Sequence, residues 1–170
     1  TVLMRVAEAF QTLPNFLLLL VLVVVFGSTL ATVTVAIGIV SWPAPARLTR
    51  AEFLSLRNRE FVQAGRTLGM RDLRLIFGEI LPNALPPLLV ESSMRFSYSV
   101  FLVATLGYLG LGVQPPSPDW GLQINEARNF FQIAPWVLLF PACTIAVLVV
   151  STNLMSDGLR QIMLPGGGRD

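Results

Sequence analysis

EFVQAGRTLGMRDLRLIFGEILPN, residues 60–83, is the one long charged stretch in the chain, and it lies between segments apolar enough to belong in lipid. Its second half sets Leu73, Ile76, Phe77 and Ile80 at helical spacings of three, four and seven, with Arg71, Asp72, Arg74 and Glu79 off that stripe. This pattern predicts a short amphipathic helix. Upstream, a helix is expected from Thr49 through Leu68. Thr49 stands three residues ahead of Glu52 as a capping box, and Gly69 falls where a helix C-terminus wants a left-handed residue. The stretch reads as helix, glycine break, helix, then Pro82 opening the next span.

Outward from it the composition sets the class. With 54% hydrophobic and 13% charged residues, the chain is outside the soluble range and reads as an all-α integral membrane protein. All 12 basic residues are arginines and histidine is absent, so no proton relay or metal site can be built from histidine. The single cysteine, Cys143, sits in an apolar run as a small buried or lipid-facing residue, and offers neither a disulfide nor a thiolate metal site. Arg47, Arg50, Arg57, Arg59, Arg66, Arg71 and Arg74 all fall in the central loop, whereas residues 112–131 carry Arg128 beside Asp119 and Glu126. By the positive-inside rule the central loop is cytoplasmic and the later stretch external. Orientation accounts for these arginines without any nucleic acid.

Taken in order, residues 1–12 read as a cytoplasmic amphipathic lead-in without a signal-peptide pattern, and Pro14 stands at the entry to a span. From Phe16 to Trp42 there is no charge; these 27 residues would reach about 40 Å as one helix against a hydrocarbon core of about 30 Å. They form either one steeply tilted helix or two spans, about 9–26 and 29–45, reversing at Gly27-Ser28. Trp42, Pro43 and Pro45 mark an interfacial exit, the prolines disrupting the helix. After the loop at 47–82, a span at 84–111 is entered through Pro86-Pro87 and left through Gly107, Gly110 and Gly112, which permit close contact or a bend. An ordered external loop at 112–131, with a short helix from Gly121 to Asn129, leads to a last span at 133–154 containing Pro141. The tail from Ser156 returns to the cytoplasm and ends in a flexible Pro165-Gly166-Gly167-Gly168 run.

Residues 60–83 resemble the cytoplasmic EAA loop of ABC-importer permeases, whose pattern is Glu-Ala-Ala, three residues, Gly, nine residues, then Ile, any residue, Leu-Pro. Gln63, Ala64, Gly65 and Gly69 hold its first part and Leu81 and Pro82 its end, with Gln63 in place of the Glu, Gly65 of the second Ala and Glu79 of the Ile. Three further strings are similar to the peptide and nickel branch of that family, specifically its second, C-type permease: GIVSWPAPARLTR at 38–50, LGLGVQPPSPDWG at 109–121 and LMSDGLRQIMLP at 154–165. The resemblance implies a polytopic helical bundle of the type I importer kind, with about four spans here and further membrane helices ahead of Thr1. It favours two spans over one before Trp42.

It also implies partners: a second homologous permease subunit, two ABC ATPase subunits that hold ATP and Mg²⁺, an extracytoplasmic substrate-binding protein and the lipid of the cytoplasmic membrane. The residues contacting an ATPase cleft would then be Glu60, Gln63, Ala64, Gly65, Gly69, Met70, Arg71, Asp72, Leu81 and Pro82, the alternative being a basic loop on anionic headgroups. No phosphate-cradling, nucleophile-elbow or metalloprotease motif is present, so the chain is expected to be non-catalytic, with no cofactor or metal of its own.

Glu91 and Arg95, four residues apart in a span, share a face and can pair. Each alone in hydrocarbon costs about 2.5–3.5 kcal/mol on insertion scales. They read either as part of a translocation pathway, with Ser92, Ser93, Ser97, Tyr98 and Ser99, or as an internal salt bridge with Arg95 snorkelling. Gln114, Pro115, Pro116 and Trp120 of the external loop read as a contact for the binding protein, or as a tight connector. Asp157 reads as a helix-end acid paired with Arg160, or as part of the ATPase interface. The function expected is a permease subunit importing di- or oligopeptides; a nickel-chelate or other small-solute permease, and a homo-oligomeric channel or membrane scaffold, are the alternatives.

Overall fold

The computed structural model describes residues 2–163, all of whose regular elements are helical. The glycine-rich tail from Pro165 lies outside the described residues.

Helix α1 (Val2–Gln11) is the amphipathic lead-in. Pro14 disfavours helical backbone at Leu13, and the chain turns by 90° before α2 (Asn15–Phe26). The expected span at 9–26 is therefore broken: α2 alone has twelve residues, about 18 Å against a core of about 30 Å. Gly27, at φ +88°, ends α2 in a conformation that L side chains rarely adopt, and Thr29 caps α3 (Leu30–Ser41) by accepting from the Thr32 N–H at 3.2 Å. The reversal expected at Gly27-Ser28 is the tip of this α2–α3 hairpin.

Pro43 and Pro45 do not disrupt the chain. They occupy the first turn of α4 (Pro43–Leu56), where an N–H is dispensable, and bonds from Trp42 N to Gly38 O (3.2 Å) and from Ala46 N to Trp42 O (3.1 Å) carry the ladder from α3 into α4. Thr49 consequently lies inside α4, its hydroxyl donating to Pro45 O at 2.8 Å rather than capping a helix. The helix expected at Thr49–Leu68 is interrupted between Leu56 and Glu60. Trp42 packs edge-on against Phe10 of α1, ring centroids 6.1 Å apart.

Helix α5 (Glu60–Thr67) is followed by α6 (Asp72–Leu75), which passes through a π-turn at Ile76–Ile80 into α7 (Leu81–Tyr108). Within the π-turn Leu81 N–H bonds to Ile76 O, five residues back. The widened turn lies directly ahead of Pro82, whose ring would crowd the carbonyl four residues earlier in a regular helix, and Asn83 Nδ2 donates to the Glu79 carbonyl at 2.7 Å. From Asp72 to Tyr108 the chain is one 37-residue helix. Helix α8 (Trp120–Ala127) and a 3₁₀ turn at Arg128–Phe130 precede α9 (Trp136–Met163), which runs well beyond the expected end at 154. Asp157 and Arg160 are thus exposed residues within α9 and form no ion pair among the described residues.

The central packing joins the hairpin to α7: Leu19, Val23, Val33, Ala36 and Val40 close on Leu102 and Leu106. Helices α7 and α9 pack along each other. On α9 the buried hydroxyls of Thr152 and Ser156 donate to the Leu148 and Thr152 carbonyls, both at 2.8 Å, so small residues are buried there without an unpaired donor. Large apolar side chains such as Val21, Phe26, Phe101, Phe140 and Val147 point outward. Four spans were expected. Among the described residues two helices, Asp72–Tyr108 and Trp136–Ile162, are long and apolar enough to cross a membrane, or three spans if the bent α1–α2 pair counts as one. Helix α3 is apolar, but its continuation in α4 carries Arg47, Arg50 and Glu52.

Candidate functional site

The connection between α5 and α6 is closed by a backbone motif. Leu68 caps α5; Gly69 N–H bonds to Arg66 O at 3.0 Å and Met70 N–H to Gly65 O at 3.1 Å. These are the two bonds of a Schellman motif, with Gly69 at the left-handed position, φ +74°. Gly65 is buried because α6 folds back on it: a Cβ there would lie 2.6 Å from Leu75 Cδ2 and 3.1 Å from Met70 Sδ. Val62 and Leu75 complete the seam, 0% and 2% exposed. The sequence pattern set Gly65, Gly69 and Met70 among contact residues; the structure makes them the frame of the turn.

The expected apolar stripe is split. Of the stripe, Ile80 is buried and Ile76 half-buried, whereas Leu73 and Phe77 are 70% and 65% exposed; Leu68 before the turn is 81% exposed. The π-turn shifts the angular register past Ile76, so a regular 3.6-residue period misplaces Ile80 relative to Leu73. Leu68, Leu73 and Phe77 stand beside exposed Arg66, Arg71, Asp72 and Arg74, and Glu60, Gln63 and Ala64 are exposed on α5. Leu81, half-buried, and Pro82, exposed, lie past the π-turn on α7 and belong to its entry rather than to the turn.

On α7, Arg95 Nε donates to Glu91 Oε1 at 2.7 Å, their side chains 33% and 25% exposed. Tyr98 follows at i+3 from Arg95 and is partly exposed. Ser92 and Ser93 donate to the Leu88 and Leu89 carbonyls at 2.7 and 3.1 Å, so their protons are used within the helix. Ser97 is buried with no hydrogen-bond partner among the described residues.

At the other end of α7 the 112–131 loop is locked down. Asp119 caps α8 by accepting from Leu122 N–H at 2.9 Å, Gln114 Nε2 donates to the Gly110 and Gly112 carbonyls at 3.2 and 3.0 Å, and Asn125 Nδ2 donates to Tyr108 O. Gly107, Gly112 and Gly121 let the strands of this clasp touch: a Cβ on Gly112 would lie 2.6 Å from Gly107 Cα, and one on Gly107 2.8 Å from Leu122 N. Gln114 thus braces the loop, while Pro115 and Pro116, joined by a cis bond, are exposed. Trp120 borders an apolar cavity of about 480 Å³ together with Phe96, Val103 and Ile145.

A helical bundle with membrane-length helices and a braced, charge-rimmed turn ahead of the first of them is that of an integral membrane protein. Residues 1–165 match the family described as binding-protein-dependent transport system inner membrane component, and the chain belongs to that family. It is a multi-pass inner-membrane protein. It is 43% identical over 162 residues to a di/tripeptide transport system permease protein of Pseudomonas aeruginosa, covering 95% of this chain and 54% of the relative. It is 42% identical over 164 residues to the dipeptide transport system permease protein DppC of Escherichia coli, covering 96% and 55%. A glutathione transport system permease protein of Salmonella typhimurium is 42% identical over 162 residues, covering 95% and 54%. The chain spans about half the length of the curated relatives it matches.

Proposed function

We propose that this chain belongs to a permease subunit of an ATP-driven importer that moves di- or oligopeptides across the cytoplasmic membrane. It contributes half of the pathway, beside a second homologous permease subunit, and passes motion from two ABC ATPase subunits into α7 through residues 60–83. ATP and Mg²⁺ are held by the ATPases, hydrolysis occurs there, and an extracytoplasmic binding protein delivers the peptide. The observation carrying this reading is the α5–α6 turn: a rigid, glycine-closed frame that presents Leu68, Leu73 and Phe77 among arginines and continues without interruption into α7. An apolar patch of this size rimmed by charge suits a partner's groove, the charges setting register. The peptide names of the relatives support the substrate class.

The reading is tested in proteoliposomes holding the full-length permease pair and ATPases, with binding protein outside. Labelled dipeptide should accumulate only with ATP and with all subunits present. Flux through this subunit alone, indifferent to ATP, would replace the importer with a channel.

A further inference from the structure

Outside the coupling turn, Glu91 and Arg95 form an ion pair on the membrane-length helix, and their role rests on the importer reading above. Arg95 stands 13 residues before Tyr108, the end of the Asp72–Tyr108 helix, about 20 Å along its axis. With Tyr108 at one edge of a hydrocarbon core of about 30 Å, Arg95 lies about 10 Å inside the other edge, within the span. Its bond to Glu91 uses Nε alone. The two Nη groups make no hydrogen bond among the described residues, which leaves the end of the guanidinium fork free in the geometry that takes a carboxylate by two parallel bonds. Glu91 fixes the fork from its side, and Tyr98 extends the same partly exposed face by one turn.

We propose that Arg95 is a binding point within the span for the terminal carboxylate of a peptide in transit, with Glu91 as its positioning residue. The neighbouring carboxylate already partly neutralises the guanidinium, so the cargo is held without being trapped, as a conducting site requires.

The test uses the reconstituted importer, with ATPase retention measured on the same vesicles. A dipeptide and its C-terminal amide are compared as an uptake ratio relative to wild type, which cancels the binding protein's own preference. Arg95→Gln should lower free-acid uptake at least tenfold and bring the relative acid-to-amide ratio down, with ATPases retained. The swap Glu91→Arg with Arg95→Glu keeps an i,i+4 ion pair, and with it the packing, and should remain as slow as Arg95→Gln. Wild-type uptake by the swap, or an unchanged acid-to-amide ratio in both variants, makes the pair structural and overturns the assignment while leaving the importer intact. Failure of the wild type to accumulate peptide with ATP overturns both.

Discussion

Gly121→Val should detach α8 from the end of α7 and lower the stability of the domain by about 3 kcal/mol. The reason is the identity of the atoms in the way. A Cβ at position 121 would lie 2.9 Å from the Ala104 carbonyl carbon and 3.0 Å from Ala104 Cα, which are backbone atoms of a helix and cannot rotate aside. Relief requires the two helices to separate, and that breaks the Asn125 bond to Tyr108 O and the seat of Asp119 against Gly107. In thermal unfolding of the detergent-solubilised protein the loss corresponds to a midpoint lower by about 6–12 °C for a domain of this size, accompanied by protease cleavage within residues 112–131. A variant as stable and as resistant as wild type would mean that the clasp is looser than described. Gly158→Val on α9, where a Cβ meets nothing within 4 Å, is the control and should behave as wild type.

Gly69→Pro should abolish the α5–α6 turn while leaving the spans inserted. Proline holds φ near −65°, whereas position 69 requires +74°, and its missing N–H removes the bond to Arg66 O. The defect is conformational and not steric, because a Cβ at 69 meets no neighbour within 4 Å. Gly69→Ala should therefore be graded rather than severe, at about 1–2 kcal/mol for the left-handed backbone. Gly65→Leu disturbs the same turn by the opposite route, pressing on buried Leu75 without altering φ. ATP-driven uptake should fall at least tenfold in Gly69→Pro and only partly in Gly69→Ala. Equal activity of both would show that the turn's shape does not transmit motion.

Much of this fold was legible in residue patterns. Charge-free runs marked the apolar helices, Gly27 and Gly69 marked the reversals that need positive φ, and the i,i+4 spacing of Glu91 and Arg95 predicted the pair that forms. What escaped depended on context. Pro43 and Pro45 can break a helix or begin one, and only the continuing ladder through Trp42 decides. Periodicity assumes a constant angle per residue, so the π-turn at Ile76–Ile80 parted buried Ile80 from exposed Leu73 of the same expected stripe. Pro14 stands at the entry to α2, as read, but the 90° corner with α1 that breaks the 9–26 span was not visible in the pattern. Gln114, read as a contact or as part of a tight connector, spends its amide on the Gly110 and Gly112 carbonyls, four and two residues back.

Ala64 gives the most direct access to the coupling claim, since it is exposed on α5 and an arginine there leaves Val62, Gly65 and the Gly69 turn untouched. The measurement is copurification of the ABC ATPase subunits with the full-length permease pair from membranes, wild type against Ala64→Arg, at equal insertion. Retention by the wild type and loss of at least tenfold in Ala64→Arg is the predicted result. Equal retention by the two, or no ATPase held by the wild type, contradicts the assignment of residues 60–83 as the coupling element.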